Sequence, residues 1–530
     1  MSFTSYGFIA FLVLLFGVYF ATPCRFRWVT LLLAGYVFYA FSGLENFIFI
    51  LATTVSSYIA SMVMKGMADR EDAYISANKE SMDKDAKRAY RAKEKKKRRA
   101  VLIVALVFNF GILATLKYSA FAVNTVNGIS GLFGATPMRL PSLLLPLGIS
   151  FYTFGTMGYL IDAYRGRAKV EKNPAKLALF VSFFPSLIQG PISRFSELEP
   201  QLVDPKPFSS KVFFFGLQRI IWGFFKKLVI ADRILVAMNM LLGSPDSYGG
   251  GYVFILIIFY SIQIYADFTG GIDITIGIAE ALGIKLAENF KRPFSSKTTK
   301  EYWERWHITM GSWFRDYIFY PMSFSRSMMN LSKKAQKRLG KNIGAKIPLY
   351  ISSIVTWFVT GIWHGAGWNF IVWGLLNCAV ILVSDELTPL YRRFHSKFPK
   401  LAENKAYLCF MSVRTFLLMG VIRSLDCYRN VGRSFAMWGS MFTSRGWGDM
   451  LRGGMFDLGL SLFDYAVIGI GCIVMYTVSK ISGDDRVIRD KLYDRPILCA
   501  SLMTLLTLSV LLLGAYSIGY DASSFIYNQF

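Results

Sequence analysis

The chain is 530 residues long, 54% apolar and only 18% charged, with a mean hydropathy of +0.40, below the usual quarter of charged residues, which argues against a soluble cytosolic enzyme. Apolar runs of about 17 to 24 residues recur from one end to the other, each long enough to cross a bilayer, so the chain reads as a polytopic membrane protein. Its 59 Lys+Arg against 34 Asp+Glu, a formal +25, lie between those runs and fit positive-inside orientation; no motif supports nucleic-acid binding.

The first apolar segment, 6–22, lacks the basic n-region and small-residue cleavage site of a signal peptide and is expected to stay as a helix. Further apolar stretches cover 27–43, 46–64, 100–118, 143–161, 174–192, 212–224, 251–269, 347–363, 368–384, 408–425, 463–481 and 496–518. Several are short or broken by Gly and Pro and read as re-entrant or half-length helices, because irregular backbone cannot face lipid. The expectation is an all-α protein with about eleven true spans.

Residues 65–99 hold 13 Lys/Arg and seven Asp/Glu, which puts that loop in the cytoplasm and, counting back, the N-terminus outside. The loop reads as a solvated helical excursion, with docking of a cytosolic partner as the alternative. RDKLYDR at 489–495 reads as cytoplasmic, leaving the C-terminus external and 426–462 at the outer membrane face. The six cysteines (Cys24, Cys378, Cys409, Cys427, Cys472 and Cys499) have no zinc or redox spacing and read as packing residues.

Chemistry is most visible in the histidines. There are three, and two follow a tryptophan directly, as Trp306-His307 and Trp363-His364. With 11 Trp in 530 positions, a given His follows Trp about 2% of the time, so two of three by chance is on the order of one in a thousand. His307 lies in TTKEYWERWHITMGSWFRDYIFYPM (298–322), where Trp303, Trp306, His307, Met310, Trp313, Phe314 and Tyr317 share one helical face and Glu301 can pair with Arg305. An interfacial amphipathic helix with a merely hydrogen-bonded histidine would give the same pattern. His364 lies in TWFVTGIWHGAGWNFIVWG (356–374), where Gly361, Gly365 and Gly367 interrupt the apolar run. Such glycines imply a break that opens a cavity or admits another backbone. An imidazole at that depth is a functional candidate able to act as a general base, or else a cap on a broken helix end. His395, in YRRFHSKFPK, reads as a solvated loop residue. There is no Gly-x-Ser-x-Gly elbow, phosphate loop or metal-spaced cluster.

These stretches carry a resemblance. GISFYTFGTMGYLIDAYRG (148–166), FPSLIQGPISRF (184–195), YADFTGGIDITIGIAEALGI (265–284), ENFKRPF (288–294), WERWHITMGSWFRDYIFYP (303–321), GIWHGAGWNFIVWGLL (361–376) and the ending SFIYNQF (524–530) resemble the membrane-bound O-acyltransferase family, in its bacterial alginate O-acetyltransferase-like subfamily. The region after 426 favours that subfamily over the shorter D-alanyl transfer branch. The chain departs from the pattern at Gly271-Ile272, at VIRSLD (421–426) and in a basic insert at 326–346.

The resemblance implies one integral-membrane domain, with 143–385 as catalytic core and 386–530 as C-terminal helices, built around a tunnel. A thioester donor, acetyl-CoA or another acyl thioester, would enter from the cytoplasm, with no bound cofactor or metal. A glycan acceptor and a partner acyltransferase would stand outside the bacterial plasma membrane. By the resemblance His364 is the catalytic histidine and His307 the second histidine of the tunnel. Ester formation also needs oxyanion donors, for which Trp363, Asn369 and Trp306 are candidates. Asp267 and Asp316 are candidates to orient an imidazole or to pair with Arg305 or Arg315. Lys226, Lys227, Lys333, Lys334, Lys337 and Arg338 are candidates to attract donor phosphates, or simple positive-inside anchors. A transporter or flippase for a cell-surface glycan precursor is the alternative from another class.

Overall fold

The computed structural model describes residues 3–141, 143, 145–443, 446–481 and 485–516, with 485–488 described by backbone alone. The expected external C-terminus and the 524–530 ending lie outside the described residues. Among the described residues the regular elements are all helices, joined by loops, and the single pairing of extended backbone is an isolated bridge between Phe290 and Trp306. Helix is what apolar runs must adopt where no water is present to satisfy backbone N–H and C=O groups.

Eight of these helices are long and apolar enough to cross a membrane, and Tyr6–Ala21 is a shorter apolar helix. Several stretches counted toward the expected eleven spans are short elements. Residues 27–43 give Arg27–Ala40, 174–192 divides into Pro174–Ser182 and Phe184–Leu187, and 212–224 falls in the 15-residue helix Ser210–Phe224. The half-length elements expected from Gly and Pro are therefore present.

Packing divides the chain into two compact units, Met1–Gly216 with Ile278–Leu286, and Leu217–Gly277 with Ala287–Phe530. In the first, Phe3, Phe8, Phe38 and Phe184 bury their rings together. Two long helices, Phe47–Ala77 and Lys84–Gly131, carry most of the charged stretch 65–99 in helical form. Asp83 caps the second by accepting from the Ala86 N–H at 2.6 Å. Where the helices run beyond their apolar portions, buried Glu71 pairs with Arg98 at 2.8 Å and Tyr74 stacks on Tyr90 at 4.5 Å. The charged stretch is thus the helical excursion its composition suggested.

The second unit holds both Trp-His pairs. A widened (π) turn at Phe225–Ala231 turns Lys226 and Lys227 inward. Lys227 donates to Asp267 at 2.6 Å and pairs with Asp232 at 2.7 Å. Lys226 pairs with Asp273 at 2.5 Å, and Arg219 binds both Asp273 and Glu288. Buried charges stay only where such partners replace lost hydration.

Candidate active site

His364 is the last residue of the helix Lys341–His364; Gly365 and Gly367 are extended, and a new helix, Trp368–Glu386, begins at once. The glycines around this corner bring backbone against backbone. A Cβ on Gly361 would lie 2.5 Å from the Phe370 carbonyl oxygen, and one on Gly374 would lie 2.4 Å from that of Trp357. A Cβ on Gly365 would meet the Phe370 ring at 2.1 Å. Of the two outcomes that the sequence left open, the glycines serve close approach of a second helix. The result is a half-buried imidazole whose ring lies 4.5 Å from that of Trp373 and 5.1 Å from that of Trp363.

His307 is held quite differently. It is fully buried and has a left-handed backbone, φ 49 and ψ 53, between the helices Thr299–Arg305 and Ile308–Phe314. Only a few residue types other than Gly tolerate that region, His among them. The stretch 288–294 clamps it: Ile308 N–H donates to the Asn289 carbonyl at 3.0 Å, and Lys291 N–H donates to the Arg305 carbonyl at 2.9 Å. The Asn289 side chain, itself fully buried, meets His307 Nδ1 through its amide nitrogen at 3.2 Å. Its oxygen accepts from the Thr309 N–H at 3.0 Å and the Thr309 hydroxyl at 2.9 Å. Burial disfavours the cation and pushes the His307 imidazole down to about 3, so it is neutral at physiological pH.

The two histidines converge on one ring. Trp363 lies 5.8 Å from the His307 ring and 5.1 Å from the His364 ring, centroid to centroid. Around them Trp303, Trp357 and Trp373 pack edge to face, and the Trp303 indole N–H donates to Asn377 at 3.1 Å. Ile422 and Leu425 close this cluster from the segment that departs from the family pattern.

The other residues singled out from the sequence divide as follows. Trp306 packs into an aromatic group made by Tyr265, Phe290, Phe294 and Tyr302, which joins the His307 cluster through Phe268, 5.0 Å from the imidazole. Asn369 is buried, and its amide donates to the Leu425 carbonyl at 3.4 Å. Arg305 pairs with Glu301 at 2.5 Å and Arg315 with Asp316 at 3.1 Å. Asp267 is engaged by Lys227, so it serves an ion pair. Lys226 and Lys227 need correction as phosphate attractors, because both are buried against carboxylates that neutralise them. Lys333, Lys334, Lys337 and Arg338 are exposed on the helix Arg326–Leu339. His395 sits on the helix Thr388–Lys397, not in a loop, with Nε2 3.2 Å from the Tyr407 hydroxyl.

Two site residues escaped the sequence reading. Asn289 gives no signal by type or spacing. Arg423 does, as one of two cations, with Arg414, within the apolar run 408–425. Its guanidinium is buried, lies 3.8 Å from the Trp306 ring centre and hydrogen-bonds the Tyr302 hydroxyl.

The polytopic helical fold with two histidines gathered on one tryptophan is consistent with the membrane acyltransferase that the quoted stretches resemble, and comparison with known proteins agrees. Residues 165–336 match the model of the MBOAT, membrane-bound O-acyltransferase family. The chain is 30% identical over 478 residues to the probable alginate O-acetylase AlgI of Azotobacter vinelandii, covering 89% of this chain and 85% of that protein. The chain belongs to the membrane-bound O-acyltransferase family. It is also 32% identical over 330 residues to the peptidoglycan O-acetyltransferase of Helicobacter pylori, covering 57% of this chain and 59% of that protein. With the teichoic acid D-alanyltransferase of Bacillus subtilis it shares 28% identity over 280 residues, 52% of this chain and 67% of that protein.

Proposed function

We propose that this acyltransferase moves an acetyl or similar short acyl group from a cytoplasmic thioester, such as acetyl-CoA, to hydroxyls of an extracytoplasmic polysaccharide, with His364 as general base. The observation that carries this reading is the meeting of two histidines, 57 positions apart in the sequence, on the single ring of Trp363. His364 is the less buried of the two, only partly covered where His307 is fully enclosed.

The chemistry balances on that residue. His364 takes the proton of the acceptor hydroxyl as its oxygen attacks the thioester carbonyl. The carbonyl oxygen gains charge that nearby donors must stabilise. Collapse breaks the acyl–sulfur bond, and the imidazolium returns the proton to the departing thiolate. Asn369 is tied to the Leu425 carbonyl, which suits it to hold the His364 corner in place. The exposed cations Lys333, Lys334, Lys337 and Arg338 fit recruitment of donor phosphates on the cytoplasmic side. External delivery to the glycan by a partner acyltransferase, and a bacterial plasma membrane with both termini outside, complete the proposal.

Acetyl transfer is favoured over D-alanyl transfer because the match to the alginate O-acetylase runs over 89% of the chain and that to the D-alanyltransferase over 52%. The test is to supply labelled acetyl-CoA to membranes containing the protein and to analyse the surface glycan. Label in alkali-labile ester on the glycan, lost with His364→Ala, is the expected result; an unlabelled glycan with wild-type protein contradicts it.

A further inference from the structure

We propose that Asn289 is a positioning residue that holds His307 as its uncharged, Nε2-protonated tautomer, so that this imidazole serves as a hydrogen-bond donor to the thioester carbonyl oxygen and leaves proton acceptance to His364. The inference rests on the acyl-transfer reading of the site and gives the second histidine its task.

The argument begins at a group whose role is not adjustable. The Thr309 backbone N–H can only donate, and it points at the Asn289 side chain from 3.0 Å. The atom it meets must therefore be the amide oxygen, which also receives the Thr309 hydroxyl at 2.9 Å and so fills its two lone pairs. That choice orients the whole amide and places its NH2 group 3.2 Å from His307 Nδ1.

An amide NH2 has only protons to offer. Fully buried, it needs an acceptor, and His307 Nδ1 is the acceptor it has among the described residues. Nδ1 must then carry a lone pair, which leaves the ring proton on Nε2. The alternative, Nδ1–H donating to the amide oxygen at 3.3 Å, would bring a third donor to a filled acceptor and strand the NH2 group. Burial opposes protonation of the ring as well, so the imidazole is held neutral with a donor at Nε2. The left-handed backbone at His307 and the Asn289 carbonyl bond to Ile308 N–H fix the ring's base against the same clamp. Such a donor is ready before charge develops on the carbonyl oxygen and needs no reorganisation when it does.

The experiment uses the purified full-length protein carrying ¹⁵N-labelled histidine. With three histidines in the chain, the His307 signals are assigned by their loss in His307→Gln. Nitrogen shifts should show Nδ1 unprotonated and Nε2 protonated at neutral pH, unchanged on mild acidification. A protonated Nδ1 or an imidazolium at neutral pH would overturn the proposal. Asn289→Asp then separates positioning from structure, because the carboxylate still accepts from Thr309 but can no longer donate to Nδ1. This variant should lose on the order of 10²–10³ in kcat at neutral pH with little change in the thioester KM. The deficit relative to wild type at the same pH should shrink as the pH falls, where a protonated carboxyl donates again. An unchanged kcat and pH profile in folded Asn289→Asp would reduce Asn289 to a structural residue. The nitrogen shifts are read without substrate, so failure here is distinct from failure of the acyl-transfer reading, which would appear as no ester formed by the wild type.

Discussion

The two Trp-His pairs look alike in the sequence and are built in opposite ways. His364 ends a helix at a corner made by glycines, half-buried, with aromatic rings for neighbours. His307 is fully buried, sits in a left-handed backbone and is gripped through Nδ1 by an asparagine whose amide oxygen is committed to Thr309. The second arrangement disfavours protonation of its imidazole. A pair of histidines on one ring therefore does not imply two equivalent bases, and the environment of each assigns its work.

The largest effect should come from the less constrained residue. His364→Ala should lower acyl transfer by about 10²–10⁴-fold with near-normal expression and membrane insertion, measured as ester formed per mole of purified protein. The glycine corner comes next. Gly361→Ala places a methyl 2.5 Å from the Phe370 carbonyl oxygen, forces the two helices apart and should cost about 1–3 kcal/mol, read as a lower thermal midpoint in detergent. Loss of activity should accompany it, because His364 lies one turn further on.

At His307 the comparison can be sharpened through stability. His307→Gly should be more stable than His307→Ala by about 1 kcal/mol, since only glycine enters the left-handed region without cost. His364→Ala should show no such dependence on backbone conformation. Acid adds a signed test. The folded value of about 3 lies below the ordinary 6.5, so above 6.5 neither state is protonated and the imidazole costs nothing. As pH falls from 6.5 toward 3 the unfolded chain gains a proton that the folded chain refuses, and stability is lost across that window. His307→Gln should flatten that part of the pH–stability curve.

The smallest effect belongs to the exposed cations. Neutralising Lys333, Lys334, Lys337 and Arg338 together should leave the protein in the membrane and raise the apparent donor KM, more at low salt than at high.

The sequence made much of this visible because the signals were local. Two tryptophan-histidine pairs and three glycines beside one of them are patterns of neighbours and led to the right corner, but the single helical face expected around the other is broken at Trp306-His307, where the backbone turns extended and then left-handed. What stayed hidden depends on contacts between distant segments. Asn289 matters because the chain returns 18 residues later to place His307 and Thr309 against it. Lys226 and Lys227 looked like surface cations until the widened turn at Phe225–Ala231 aimed them at Asp273, Asp267 and Asp232. Arg423 was readable as a cation in an apolar run, but its stacking on Trp306 was not. The number of spans was blurred for a similar reason, since apolar runs such as 174–192 are interrupted inside the fold by short turns.

The most direct test of the division of labour between the histidines is the pH dependence of kcat for the wild type, His364→Ala and His307→Ala, measured on one purified preparation of each with a labelled acyl thioester. The wild type should show a rate that rises with pH as the general base loses its proton. His307→Ala should keep the shape of that rise at reduced amplitude, because a neutral donor contributes no ionisation. His364→Ala should lose the rise altogether. A rise that survives in His364→Ala and vanishes in His307→Ala would contradict the account.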